Sequence, residues 1–283
     1  MLFRSNGRSN IHDDAYMTDT YRGRGPLGVS MRRTSRFTGG GVCGSVTFSG
    51  SSRLFTVCIQ NGGADPFLKV LDPDTLEQIA SLQLPPRPLS GNIYQDFTGG
   101  GYFYLDKEGR AALFTADHRI SLVALVKVSG HMELKAERDY DLSPVLAPDD
   151  KGTSLLPDWA GRIWFVTLAG VVGVVEPLSG AIHTLEMGEE IENSFAVDET
   201  GGVYIATDVA MYRFEADGSG VPVVVWREVY QNSGIVKPSQ VNAGTGTTPT
   251  LLGTEWVAIT DNADPMNVVV YRRAKTVTGS RVV

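Results

Sequence analysis

Short apolar runs, each closed off by a Gly-, Asp- or Ser-rich turn, follow one another from Val42 to the end of the chain. Five are near copies: Arg53-Leu-Phe-Thr-Val57, Arg110-Ala-Ala-Leu-Phe-Thr115, Arg162-Ile-Trp-Phe-Val-Thr167, Val203-Tyr-Ile-Ala-Thr207 and Trp256-Val-Ala-Ile-Thr260. Each reads as the second strand of a unit built from a short apolar strand, a turn, this strand, a loop and a third strand. Runs of this length, rich in Val, Ile, Phe, Trp and Thr and bounded by turn residues, are strands. A β-rich unit repeating every ~40–50 residues is the pattern of a β-propeller. No stretch holds a 3.6-residue apolar period beyond a turn or two, so helices are not expected.

The expected fold is therefore all-β, a propeller of four-stranded blades, about five in this chain. The predicted blades occupy 41–85, 92–141, 153–187, 190–230 and 246–283 within a domain spanning 39–283, and 1–38 form a polar, Gly/Arg/Thr-rich leader. In the first blade the strands fall at 42–48, 53–60, 67–71 and 77–84. The third has 154–157, 162–167, 170–175 and 181–185. The fourth has 193–197, 202–207, 210–214 and 222–226, and the fifth 248–252, 255–260, 267–272 and 276–282. In the second blade, 93–98 and 101–105 are hard to divide between the first two strands. Gln60-Asn-Gly-Gly-Ala-Asp-Pro66 and Thr260-Asp-Asn-Ala-Asp-Pro265 lead from strand two to strand three in the first and last blades, as an internal repeat predicts. A propeller closes when one blade takes a strand from the other end of the chain, leaving no open edge. The chain stops at Val283 inside a predicted strand. Either leader residues 35–41 supply the closing strand, or the natural protein continues into further blades; continuation is the expectation.

With 283 residues, 42% hydrophobic and 20% charged, the chain can bury a sizeable core. A formal charge of −7 argues against a nucleic-acid partner. Arg22, Arg24, Arg32, Arg33 and Arg36 are the one basic cluster and read as a solvated tail. Apolar runs are strand-length, short of the ~20 residues of a membrane helix, so no membrane partner is expected. The N-terminus lacks the apolar core of a signal peptide, which as written implies a cytoplasmic protein. A secreted or periplasmic one would follow if the N-terminus is incomplete. Gly23-Arg-Gly-Pro-Leu-Gly28 matches the dinucleotide pattern in letters only, with no preceding strand and Pro26 inside it. Gly244-Thr-Gly-Thr-Thr248 lacks the Lys of a phosphate loop. A tight turn about Gly50 and Ser51 would set Cys43 opposite Cys58. Directly paired strands are poor disulfide geometry, so two buried thiols are expected; a bridge, worth ~3 kcal/mol, is the alternative.

Candidate chemistry gathers on one face. Inner strands begin on the side where strand two passes to strand three, which collects Asn61, Asp65, Asp117, His118, Asp208, Asp261, Asn262 and Asp264 with Asn92, Glu192, Asn193, Thr247 and Thr248. Hard oxygen ligands at loop tips around a ring suit calcium, which takes ~6–8 oxygens; the same residue types also cap their own turns. His118 is the one histidine of His12, His118, His131 and His183 on this face, and it is a candidate general base beside Asp208. No G-x-S-x-G elbow occurs. Trp159, Trp164, Trp226 and Trp256 suit wedges between blades, with Trp159 also placed to stack on a ligand.

The run Asn193-Ser-Phe-Ala-Val-Asp-Glu-Thr-Gly-Gly-Val-Tyr-Ile-Ala-Thr-Asp208 resembles the inner hairpin of gluconolactonase/regucalcin and paraoxonase propellers. That resemblance implies a calcium ligand at Asn193 and lactone or ester hydrolysis; Asp261, Asn262 and Asp264 of the loop-face group would complete the metal site, with Asp208 or His118 as proton acceptor. Through Leu156-Pro-Asp-Trp-Ala-Gly-Arg-Ile-Trp164 and Gly246-Thr-Thr-Pro-Thr250 the chain also resembles uncharacterised bacterial propellers of the quinoprotein-like superfamily, which carry further blades. The Trp-docking motif A-x-D-x-x-x-G-K-x-x-W of PQQ enzymes is absent, so no PQQ is expected. The readings are a small-molecule-binding propeller acting as a calcium-dependent hydrolase, a non-catalytic scaffold for a protein partner, or a quinoprotein-like dehydrogenase. Fold alone does not choose among them.

Overall fold

Alternating strands and tight turns organise the chain into successive antiparallel sheets. The computed structural model describes every residue except 1–6, 10–11, 21–27, 38–40, 50–52, 89–95, 97 and 239. After β1 (Gly7–Ser9), the first blade is β2 (Val42–Ser49), β3 (Arg53–Gln60), β4 (Asp65–Leu71) and β5 (Gln78–Gln83), paired in that order. The second is β6 (Tyr104–Asp106), β7 (Ala111–Thr115), β8 (Arg119–Val128) and β9 (His131–Asp141). The third comprises β10 (Gly152–Pro157), β11 (Ile163–Thr167), β12 (Val171–Val175) and β13 (Ile182–Glu186). The fourth comprises β14 (Ala196–Val197), β15 (Val203–Ala206), β16 (Ala210–Ala216) and β17 (Pro222–Val229), and the fifth β18 (Thr250–Leu252), β19 (Trp256–Thr260) and β20 (Val268–Arg272). Five all-β sheets of this kind are the expected blades.

One turn recurs between the first and second strands. Asp106, Asp158 and Asp198 each open an Asp-x-x-Gly turn in which Oδ1 accepts the N–H four residues on, from Arg110 (2.8 Å), Arg162 (3.0 Å) and Gly202 (2.9 Å). Gly109, Gly161 and Gly201 hold φ of 81°, 90° and 83°, the left-handed region open to glycine. The second carboxylate oxygen reaches Arg110 Nε, Arg162 Nε and, in the fourth blade, the Tyr204 hydroxyl. This periodic Asp satisfies turn donors that would otherwise be buried without partners.

Between blades the packing is apolar. Phe55, Val57, Leu68 and Val70 of the first blade meet Phe103, Leu105, Leu113 and Val123 of the second. A larger core runs from the opposite face of the second blade through the third, fourth and fifth. Trp164 and Trp226 are buried in it and Trp159 packs against it, whereas Trp256 is half-exposed with the Arg272 guanidinium over its ring. Hydrogen-bonded strand pairing stays within each sheet, and among the described residues none joins the fifth sheet to the first.

Several expectations change. Cys43 and Cys58 do pair across β2 and β3, but they form a disulfide rather than two thiols. The fourth strand expected at 276–282 is reduced to a bridge between Tyr271 and Val282. Arg281 explains why: its guanidinium donates to the carbonyls of Arg272, Ala274 and Lys275, which curls the segment into a loop. In the second blade the first strand is β6, with a turn at 98–100, and most of the alternative at 93–98 lies outside the described residues. A closing strand at 35–41 is not formed at 35–37 or 41, and 38–40 lie outside the description. Arg22, Arg24 and positions 23–27 of the glycine motif lie outside it as well.

The leader is not wholly a solvated arm. Residues 29–37 are exposed, with Arg36 bonded to Glu77, but Ala15, Tyr16 and Met17 are buried. β1 adds to the inner edge of β6. Further on, the carbonyls of Ala15 and Tyr16 accept the N–H groups of Val197 and Leu251, the inner edges of blades four and five. The leader thus runs along the inner edges of blades two, four and five. The Tyr16 hydroxyl donates to Glu199, and the Arg273 guanidinium lies between the Tyr16 and Tyr204 rings (5.3 and 5.7 Å to the centroids) while bonding Asp198 at 2.7 Å.

Candidate functional site

Antiparallel order puts the starts of the inner strands, the strand-two to strand-three loops and the links between blades on one face. Asn92 lies outside the described residues; the other expected residues do reach this face, but their side chains are spent in different ways. Asn61 donates to Asp65 within its own loop. The Thr115 hydroxyl donates to Asp117 (2.6 Å). His118 is buried at a φ of 59°, and its Nε2 donates to the Asp150 carbonyl at 2.7 Å, tying the second blade to the third. Thr247 accepts the Thr260 N–H (3.2 Å) and shares a 2.7 Å hydroxyl contact with Thr245.

Of the four candidate metal ligands, Asp261, Asn262 and Asp264 share the loop between β19 and β20, and Asn193 precedes β14 in the fourth blade. Asp261, 1% exposed, accepts the N–H groups of Ala263 (3.1 Å) and Asn267 (2.7 Å) on one oxygen and the Asn267 amide (2.9 Å) on the other. Burial pushes its carboxyl up, but these bonds and the Lys237 charge outweigh burial and hold it below the usual carboxylate range. Asn262, also 1% exposed, donates Nδ2 to Asn232 Oδ1 (2.9 Å) and to the carbonyls of Ile235 (3.0 Å) and Ala243 (2.7 Å). Asp264 is exposed. Asn193 is half-buried ahead of β14 on the neighbouring blade. Among the described residues no group of three or more His, Cys, Asp or Glu is placed to hold a metal ion.

Around Asn193 the face is acidic. Glu192 accepts the N–H groups of Val241 (3.1 Å) and Asn242 (3.4 Å), yet burial first and then the Glu190 charge raise its carboxyl. Asp208 accepts the Glu190 N–H (2.9 Å) and is likewise raised, by burial and by the charges of Glu190 and Glu189. Glu189 is paired with Arg227 at 2.7 Å. Tyr102, across from the fourth blade, has its phenol pushed up to about 12 by burial and then by Glu192. Asn242 is 9% exposed; its Oδ1 takes the Gly244 N–H at 2.8 Å, while its Nδ2 has no acceptor.

Three groups escaped the sequence reading. Asp96 binds Lys151 Nζ at 2.9 Å and receives Thr98, while Arg87 donates to its backbone carbonyl at 2.7 Å, linking the first three blades. Tyr102 sits just after a glycine turn that obscured the strand start. Asn232 and Asn242 lie in the connection from blade four to blade five, where no strand period marks them. The recurring Asp-x-x-Gly spacing at 106, 158 and 198 was a readable signal.

No known family model matches the chain. Over 180 residues it is 32% identical to an uncharacterised protein of Archaeoglobus fulgidus, a match covering 60% of this chain and 33% of that protein. The chain therefore spans a third of that relative's length. Among solved structures, the β-propeller domain of Cps50 (Swd1) from Myceliophteria thermophila superposes with a TM-score of 0.50 at 13% identity, covering 85% of this chain and 72% of that one. The fold is a β-propeller. At such low identity the likeness carries the fold alone. No helix among the described residues is long and apolar enough to cross a membrane.

Proposed function

We propose that the protein is a non-catalytic binding propeller whose loop face engages a partner. The observation that carries this reading is how Asp261 and Asn262 are used. Both carboxylate oxygens of Asp261 accept hydrogen bonds from its own loop, and the Asn262 amide holds a neighbouring loop in place. Groups so committed cap turns. A calcium-dependent lactone or ester hydrolase would need these groups turned toward Asn193 and Asp264, with Asp208 or His118 free to take a proton. His118 is instead buried between two blades, its Nε2 donating to a backbone carbonyl and only Nδ1 left as a basic atom. A quinoprotein-like dehydrogenase would need a cofactor-docking motif, and the sequence contains none.

Calcium titration calorimetry tests the proposal on the whole chain, repeated with Asn193→Ala and Asp261→Ala. The expected result is no heat of binding in any of the three, with a lowered melting temperature for Asp261→Ala. Binding that both substitutions weaken, together with chelator-sensitive turnover of lactones or aryl esters, would replace this reading with the hydrolase.

A further inference from the structure

Between blades four and five, 231–238 and 240–249 cross the loop face, held by polar bonds. Asn232 Nδ2 donates to the Asp208 carbonyl (2.9 Å), Glu192 accepts from Val241 and Asn242, and Asn262 holds the carbonyls of Ile235 and Ala243. Held in this way, the crossing turns apolar side chains outward: Ile235 is 52% exposed, Val236 53% and Val241 43%. Met266, 53% exposed, comes alongside from the next loop, its Sδ 3.6 Å from Lys237 Nζ. Three bulky side chains on one anchored loop, with a methionine from the adjoining loop, offer a partner apolar area held in a fixed place. Methionine adapts its shape to varied partners.

The charge next to this patch is of one sign. Asp208, Glu190 and Glu192 adjoin the crossing through the bonds above, and nearby Glu189 is the one paired with a cation, Arg227. Lys237, beside Met266, is the basic group within the patch. The upward direction of Asp208 and Glu192 comes partly from the charges of Glu189 and Glu190, so an incoming cation would relieve a repulsion already present.

We infer that this face docks a basic, apolar-studded peptide segment of a partner protein. Its apolar side chains rest on Ile235, Val236, Val241 and Met266, and its Lys or Arg residues face Glu190, Asp208 and Glu192. This inference rests on the binding-propeller reading and names the partner's chemistry.

Fluorescence anisotropy of the whole chain tests it with a labelled peptide of alternating lysine and leucine. Glutamate–leucine and lysine–serine peptides serve as controls. Saturable binding is expected for lysine–leucine alone, weakened about tenfold or more by Glu190→Lys and by the pair Ile235→Ser and Met266→Ser. All these positions are exposed, so melting temperatures should stay at the wild-type value. Leu178, 97% exposed in the turn between β12 and β13, controls for general stickiness, and Leu178→Ser should bind as the wild type does. Three outcomes would overturn the inference: no lysine–leucine binding, equal binding by every variant, or self-association of the chain that Ile235→Ser abolishes, which would make a second copy the occupant. None of these depends on calcium or turnover, so they are separate from a failure of the binding-propeller reading.

Discussion

Asn262 Nδ2 has two hydrogens and three oxygens around it, all within 3.0 Å. Asn262→Asp keeps the shape but sets an oxygen against those three, in a place 1% exposed. The expected loss is about 3 kcal/mol or more in urea unfolding, larger than for Asn262→Ser, because the substitution leaves a buried charge facing acceptors as well as removing bonds. The identity of such residues was legible in the sequence, and so was the face they share. What they bond to was not. An Asp that caps its own turn and an Asp that holds a cation are the same letter. The difference at Asp261 is made by Asn267, six positions on in a loop with no period to reveal its path.

Strands were the most readable level, because alternation and turn residues state them locally. β3 was expected at 53–60 and is found there, and the three strands of the fifth blade start within two residues of the expectation. The missing fourth strand was lost to the Arg281 side chain, whose carbonyl partners no local pattern marks. The disulfide shows a similar limit: register follows from the turn, but whether two facing thiols join does not. Two measurements follow. Thiol titration of the denatured, unreduced chain should find no free cysteine. With a sequence separation of 15 between its ends, the bridge should contribute about 3 kcal/mol, so reduction or Cys43→Ser should lower the urea midpoint by the corresponding amount.

For the molecule as a whole, the five-blade plan was visible in the sequence, and the course of the leader was not, since Ala15 to Met17 carry no strand signature. The joints between blades bear on acid stability. Burial pushes the Asp96 carboxyl up, but the bonds from Thr98 and Lys151 outweigh burial and bring it down to about 2 from 3.8. Asp198, also buried, is held low by Thr200, Gly202, Tyr204 and Arg273. Depressed folded values mean that their stabilisation is complete above about pH 4 and is lost as the pH falls through the folded values. Melting temperature should therefore drop steeply from pH 4 toward 2, and Asp96→Asn should be less stable at pH 6 and show a shallower drop.

Tyr16 and Met17 leave the ribosome well before their partners: Glu199 lies 183 residues further along the chain and Thr250 lies 233. A ribosome adding ~5–20 residues per second leaves the leader waiting for tens of seconds while the blades it belongs among emerge. A segment made before the blades is thus among the last to be seated, and its long-range pairings set the pace of completion. Refolding should show an early phase reported by Trp164 and a later one reported by a fluorophore near Tyr16, and deleting residues 1–20 should remove the later phase while leaving the first. Chaperones that hold a nascent chain open would matter most in that interval, when Val197 and Leu251 still present unclaimed backbone to any strand that passes.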